Sequence, residues 1–277
     1  MPNSPAEAFL IEFHNTRPGL TSKAFSELPV LGGQQTYPSS YARLEATIPY
    51  SSGCLKALDL ACGDGYLLAL LAKRNQPGLS LHGIDLSRSE LMMARDRLGL
   101  SVMLNQARAQ YLPYATASLD YVLSHMALML MEDIEQVLLE VRRVLKPGAI
   151  LAAVVGAATP PSPAVSAYID ILSGYLRQDR WSSVRFGDKR IKSRDGITEL
   201  LKPAFKDVII EELHTSQRLS PRQLWEWLEA MYDLYLFEEN EREKIKAHYR
   251  SAMAPLCGTD NRIEMPGLLH YVTAVAH

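Results

Sequence analysis

Residues 58–67 read Leu-Asp-Leu-Ala-Cys-Gly-Asp-Gly-Tyr-Leu, an apolar run carrying Asp59, then a turn of small residues, then a second apolar run. A strand that runs through such a turn into a helix points backbone N–H groups at whatever ligand sits there. Gly63 and Gly65 allow that ligand a close approach. Twenty positions after Gly65, Asp85 ends the next apolar run, with Leu86 beside it. A carboxylate at the end of a second strand can accept both hydroxyls of a ribose. The pair of features predicts an adenosine-bearing cofactor. The dinucleotide fingerprint GxGxxG would place a third glycine at the position of Leu68, and the turn opens on Ala61 rather than glycine, so NAD is disfavoured.

The 58–67 stretch resembles motif I of the class I S-adenosylmethionine-dependent methyltransferases, and Asp59, Ala61, Gly63 and Gly65 match it. The resemblance implies that the turn at Ala61, Cys62 and Gly63 holds the methionine part of the cofactor, with Asp59 directed to its ammonium. Asp85 in Gly-Ile-Asp-Leu-Ser resembles the family's motif II, the ribose site. Residues 107–128 are similar to the family stretch before and along the fourth strand, through Leu112-Pro113-Tyr114 and Ser118-Leu119-Asp120. Arg108 stands where the family often has an acid facing the adenine amino group, so Ala109 and Gln110 are expected to bind adenine through backbone and amide. Residues 141–151, ending Lys146-Pro147-Gly148-Ala149-Ile150-Leu151, are similar to the family's helix and turn before the fifth strand. The resemblance covers residues 55–156 closely. It implies S-adenosylmethionine as cofactor and S-adenosylhomocysteine as product.

Methyl transfer from a sulfonium is an in-line displacement, in which the protein chiefly aligns donor and nucleophile. By the resemblance, the tip of the fourth strand lies beside the sulfonium, and Ser124, His125 and Met126 stand there. Ser124 is expected at the cofactor. His125 is the candidate general base, because an imidazole ordinarily titrates near neutrality. The tetrad Ser-His-Met-Ala differs from the Asn/Asp-Pro-Pro-aromatic tetrad of enzymes that methylate adenine or glutamine amides, which argues against those acceptors. Tyr37, Tyr41 and Arg43 are expected to fold over the donor, with Arg43 meeting its carboxylate. The leading reading is a methyltransferase acting on a small molecule at O, N or C. A protein that binds the cofactor without transferring methyl, and an NAD-dependent oxidoreductase, are the alternatives.

These residues need an α/β sheet to position them. Short apolar strands at 55–61, 79–86, 101–105, 119–125 and 149–156 alternate with helical segments, the pattern of a parallel sheet covered on both faces. Ser87 with Glu90 three positions on has capping-box spacing, and a helix capped by Asp195 precedes a strand at 207–213. A closing strand at 268–276 completes a Rossmann-like, doubly wound, seven-stranded, mostly parallel sheet, whose last strand runs antiparallel as the resemblance implies. Residues 1–50 read as a cap or lid of short helices and loops, and 51–156 with 194–277 as the cofactor-binding domain. Insertions at 157–193, with Tyr168, Tyr175, Trp181 and Arg185, and at 220–265 are expected to shape the acceptor site. The 224–237 segment reads as one helix, and the charged run at 238–246 as a solvated face.

With 277 residues, 47% of them hydrophobic, the chain can bury a substantial core. Its formal charge of −2 offers no general attraction for nucleic acid, so none is expected as a partner. No apolar run reaches the ~20 residues that span a bilayer, and the amino-terminal stretch lacks a basic region followed by an apolar core, so a cytoplasmic protein is expected. Cys54, Cys62 and Cys257 lack metal-site spacing and are expected to be buried thiols, with no metal bound.

Overall fold

The structure, a computed structural model, describes residues 4–158, 162–175 and 186–277. Trp181 and Arg185 lie outside the described residues. The chain runs α1 (Pro5–Thr16), α2 (Leu20–Phe25), β1 (Val30–Gly32), β2 (Gln35–Tyr37), α3 (Ser40–Glu45), β3 (Leu55–Leu60), α4 (Tyr66–Lys73), β4 (Leu79–Asp85), α5 (Arg88–Leu98) and β5 (Met103–Gln106). It continues through β6 (Leu119–His125), α6 (Ile134–Val144), β7 (Leu145–Gly156), α7 (Pro163–Tyr175), α8 (Arg194–Leu201), β8 (Phe205–Leu219), α9 (Pro221–Glu229), α10 (Glu239–Met253) and β9 (Ile263–Ala276).

The nine strands of the described residues form one sheet in the order β2-β1-β8-β9-β7-β6-β3-β4-β5. The predicted seven-stranded unit is its main part: β3 pairs parallel with β4 and β6, β6 with β7, and β9 runs antiparallel between β7 and β8. The two strands beyond it come from the amino-terminal segment. Val30–Gly32 and Gln35–Tyr37 form a hairpin whose first strand adds antiparallel to β8 through Leu31 and Gly32. A three-residue strand has too little periodicity to be recognised in a sequence, which is why residues 1–50 read as helices and loops.

The sheet buries both faces. β7 contributes Leu151 to Val155 without a polar interruption, as a central strand covered on two sides must. One face packs on α6 and α8 through Val137, Leu138, Val141, Ile197 and Leu200. The other packs on α3 and α4 through Leu44, Leu67, Leu68 and Leu71. A third cluster joins α7, α9 and α10 to Ile263 and Met265 of β9, with Trp225, Tyr249 and Tyr168 at its centre.

Several local expectations change. The cap of α8 is Ser193, whose hydroxyl accepts the Gly196 N–H, and Asp195 lies inside the first turn. The 224–237 segment breaks after Glu229 and continues as a 3-10 turn from Tyr232 to Leu236, while Ser220 caps α9 in a capping box with Gln223. The charged run sits on α10, whose Ile245, Tyr249 and Met253 are buried. Cys54 is exposed and Cys257 half-buried, so only Cys62 is the buried thiol expected of all three. Among the described residues, no helix is long and apolar enough to cross a membrane.

The turn after β3 takes left-handed backbone at alternate positions, with φ of 59° at Ala61, 50° at Gly63 and 75° at Gly65. Small residues are needed there for that reason. Gly65 also lies against α5: a Cβ on it would sit 2.8 Å from Leu98 Cδ1 and 3.0 Å from Ala94 Cβ. Gly65→Ala therefore combines left-handed strain with a clash, and we expect it to cost roughly 2–3 kcal/mol, read as a lower denaturant midpoint at unchanged slope.

Candidate active site

At the carboxyl ends of β3, β4 and β6, beneath α1 and α2, lies a cavity whose wall includes Asp59, Ala61, Cys62, Gly63, Asp85, Leu86, Ala109, Gln110 and His125. The opening of an α/β sheet at this end is where such folds hold ligands. Five carboxylates line it, Glu7, Asp59, Asp64, Asp85 and Glu90, and among the described residues no Lys or Arg does.

Three of the five are paired. Glu7 meets Arg108, Asp64 meets Arg97 at 2.6 Å, and Glu90 meets His14 at 3.0 Å. Asp85 is held by backbone: Gly63 N–H donates to Oδ2 at 2.9 Å and Ser87 N–H to Oδ1 at 2.8 Å. Burial still raises its carboxyl, with those amides opposing. Asp59 differs from all of these. It is 3% exposed, and no donor among the described residues is hydrogen-bonded to its side chain. Burial, then the neighbouring Asp85 and Asp64, push its carboxyl well above the usual carboxylate range. An unpaired buried carboxylate facing a cavity is suited to a cationic ligand group.

The turn is less open than expected. Cys62 N–H donates to the Ile84 carbonyl and Gly63 N–H to Asp85, so these two amides are engaged within the protein. Alternating left-handed residues make an anion-binding concavity, and Asp85 fills it. Burial, followed by Asp85 and Asp59, raises the Cys62 thiol, which removes it as a nucleophile. Gly65 serves the packing of α4 on α5 and is not in the cavity wall.

Three further sequence expectations are corrected. Ser124 is fully buried and donates to the Leu60 carbonyl at 3.0 Å, which ties β6 to β3 rather than to a ligand. Arg43 points away from the cavity, 2.7 Å from Glu211 and stacked 3.6 Å over the Tyr271 ring. Tyr37 bonds Gln35 on the hairpin. The hairpin and β8 draw both residues to the far side of α3, and only Tyr41 of that group lines the cavity. Tyr168 and Tyr175 of the first insertion pack against Tyr249 and His248. Ala230, Met231 and Tyr232 of the second insertion do reach the cavity.

His125 is 6% exposed, and burial lowers its imidazole to about 3, so the near-neutral titration expected of it does not hold. Nε2 lies 2.8 Å from Ser40 Oγ, and the ring stacks on Tyr41.

The amino-terminal helices contribute what the sequence did not reveal. Gly19 N–H donates to Glu90 at 3.0 Å, Ser22 to Asp64, and Ser87 to Asn15 at 2.9 Å, so α1 and α2 are fastened over the cavity by two of its acids and by Ser87. Glu90 therefore does not complete a capping box; its side chain turns to the lid while Ser87 caps the helix alone. Glu7 engages Arg108, which accounts for a cation standing where an acid is usual. These contacts join residues 42 to 101 positions apart, and no local pattern encodes them. Met126, Met129, Met131 and Met231 form an apolar wall. The first three cluster in one short stretch, which was the available signal.

Sheet order, turn and cavity define a class: an α/β domain that holds a nucleoside cofactor at the carboxyl ends of its strands. Residues 58–153 match the family described as methyltransferase domain. Methyltransferase GfsG of Streptomyces halstedii is 36% identical over 125 residues, 43% of this chain and 42% of that protein. Demethylmenaquinone methyltransferase of Lactobacillus johnsonii is 29% identical over 173 residues, 57% of this chain and 70% of that one. A putative methyltransferase of Bacillus halodurans has a similar structure, with TM-score 0.55 and 15% identity over 85% of this chain and 98% of that one. The chain spans less than half the length of GfsG and about two thirds of the Lactobacillus enzyme. Residues 58–153 are thus a methyltransferase domain, and the likeness is to class I S-adenosylmethionine-dependent methyltransferases, whose cofactor is S-adenosylmethionine.

Proposed function

We propose that the whole protein binds S-adenosylmethionine in the cavity and transfers its methyl group to a small, uncharged, largely apolar acceptor. The observation that carries this is Asp59, a buried carboxylate without a hydrogen-bond or ion-pair partner among the described residues, in a cavity lined by five acids. A ligand with an ammonium and a sulfonium suits that charge, whereas the pyrophosphate of NAD does not. Asp85 keeps free lone pairs for ribose hydroxyls beyond its two amide bonds. Gln110 donates its amide to the Glu132 carbonyl at 2.8 Å, which leaves its own Oε1 as acceptor for an adenine amino group.

The cofactor supplies an electrophilic methyl carbon on sulfur. The chain's part is alignment and exclusion of water: α1 and α2 cover the cavity, and the four methionines give the acceptor an apolar, adaptable wall. With the His125 imidazole gaining its second proton only below about pH 3, no group among the described residues at the strand tip acts as an effective base at neutrality. An acceptor that reacts through an already nucleophilic atom is favoured.

The test is transfer of label from methyl-labelled S-adenosylmethionine to methyl 4-hydroxybenzoate and 4-hydroxybenzoate, with analogous neutral and carboxylated pairs of quinols and amines. We expect label in neutral members at ten times the rate of their carboxylated partners or more. Equal labelling, or preference for the carboxylates, would contradict the proposed acceptor class.

A further inference from the structure

Between α2, α4 and α5 lies a second cleft, of about 970 Å³, large enough for a small organic molecule. Gly19, Ser22 and Asp64 line both this cleft and the acid-lined cavity, so the start of α2 and the turn after β3 form the partition between the two. The two sides of that partition carry opposite charge. The cavity has five carboxylates and, among the described residues, no Lys or Arg. The cleft has Lys23 of α2, Lys73 of α4 and Arg97 of α5 against the single acid Asp64, a net charge of +2 among the described residues.

Asp64 is buried and already engaged. Its Oδ2 accepts from the Ser22 hydroxyl and from Arg97 at 2.6 Å, and its Oδ1 accepts from the Tyr66 N–H at 3.3 Å. Arg97 is fixed by that bond and by the Tyr66 ring, 5.4 Å from the guanidinium carbon, while its other N–H groups have no acceptor among the described residues. Lys23 and Lys73 are exposed, and neither ammonium has a hydrogen-bond or ion-pair partner among the described residues. Three cations from three different helices thus line one concavity, and a single acid compensates one of them. Ala69, Leu70, Met93 and Leu98, each half-buried, give the same cleft an apolar surface.

We propose that this cleft is a binding site for a small organic phosphate, whose dianionic group meets Lys23, Lys73 and the unused N–H groups of Arg97 while its organic part lies on the apolar side chains. A doubly charged anion matches the net charge of the lining, and a guanidinium beside two ammonium groups is a donor set suited to phosphate oxygens. The bound anion ties Lys23, one position after Ser22, to α4 and α5, and so fastens α2 over the acid-lined cavity without entering it. Phosphate and S-adenosylmethionine then strengthen each other's binding by linkage. The linkage rests on the proposed methyl transfer; the phosphate site does not.

The experiment is calorimetric titration of the full chain with phenyl phosphate at about pH 8, where the phosphate is doubly ionised, with benzyl alcohol and inorganic phosphate in parallel. Lys23→Ala and Lys73→Ala change exposed side chains and leave the core untouched, which thermal melts check. We expect the wild type to bind phenyl phosphate with a Kd below ~1 mM, each variant to bind it at least ~threefold more weakly, and benzyl alcohol and inorganic phosphate to bind at least ~tenfold more weakly. Weaker binding by the wild type, an unchanged affinity in either variant, or benzyl alcohol bound as well as phenyl phosphate overturns the site. Inorganic phosphate bound as well as the ester overturns the role of the apolar side chains. In a second titration, saturating phenyl phosphate should tighten S-adenosylmethionine binding at least ~twofold in the wild type and leave it unchanged in Lys23→Ala. No effect in the wild type overturns the linkage, and competition between the two ligands overturns the site by placing the phosphate in the acid-lined cavity. Failure of S-adenosylmethionine to bind under any condition would sink the methyl-transfer reading and leave the first titration to decide the site by itself.

Discussion

Asp59→Asn is expected to weaken S-adenosylmethionine binding by at least ~100-fold while raising the melting temperature of the cofactor-free protein. The loss of affinity follows from removing one member of a buried charge pair, which costs about 2–5 kcal/mol. The gain in stability follows from the carboxyl being pushed up by burial and by Asp85 and Asp64. As pH rises past the ordinary carboxylate value of about 4, the unfolded chain loses its proton while the folded protein retains it. Stability of the wild type therefore falls through the window up to the raised folded value. Asn cannot ionise, so the variant escapes that fall. The gap in Tm should be small at pH 4 and open toward neutrality, reaching roughly 2–6 °C on the scale of ~2–4 °C per kcal/mol for a chain of this size. Thermal melts of both proteins across that range, with and without S-adenosylmethionine, check it. A lower Tm for the variant at pH 7 would show that Asp59 is a structural group.

Asp85→Ala should likewise lose about 100-fold in affinity, but for a different reason and with a different signature. Asp85 gathers Gly63 N–H and Ser87 N–H, and so holds the turn and the start of α5 in register around the proposed ribose position. Charge-assisted hydrogen bonds contribute ~1.5–3 kcal/mol each, and the variant removes those to the ribose together with the tether of the turn. Gly63 and Ser87 border the cavity, where water can take up the freed N–H groups. The Tm without cofactor should then move by less than about 1 kcal/mol equivalent, while the rise in Tm on adding S-adenosylmethionine disappears. Retention of that rise would place the ribose elsewhere.

The sheet was legible because its strands are apolar runs at βαβ spacing, and the turn because Ala61, Gly63 and Gly65 stand at the alternate positions that the left-handed backbone requires, with Asp59 two residues ahead of them in β3. The roles within it were harder to read. Gly65 and Ser124 fit a cofactor motif by position, yet their surroundings are α5 and the Leu60 carbonyl, which only packing reveals. Arg43 looked suited to a carboxylate, but Glu211, 168 positions away, takes it. The lid illustrates the same limit: Glu7, His14 and Gly19 carry no motif, and their function arises from where α1 and α2 cross the sheet. His125 was found by its place at a strand tip, while its low proton affinity comes from Tyr41, Phe25 and burial.

The most direct test is calorimetric titration of the wild type and Asp59→Asn with S-adenosylmethionine and NAD. Micromolar binding of S-adenosylmethionine by the wild type, lost in the variant, with no binding of NAD, is the predicted result. Binding of NAD alone, or S-adenosylmethionine binding indifferent to Asp59, would contradict it.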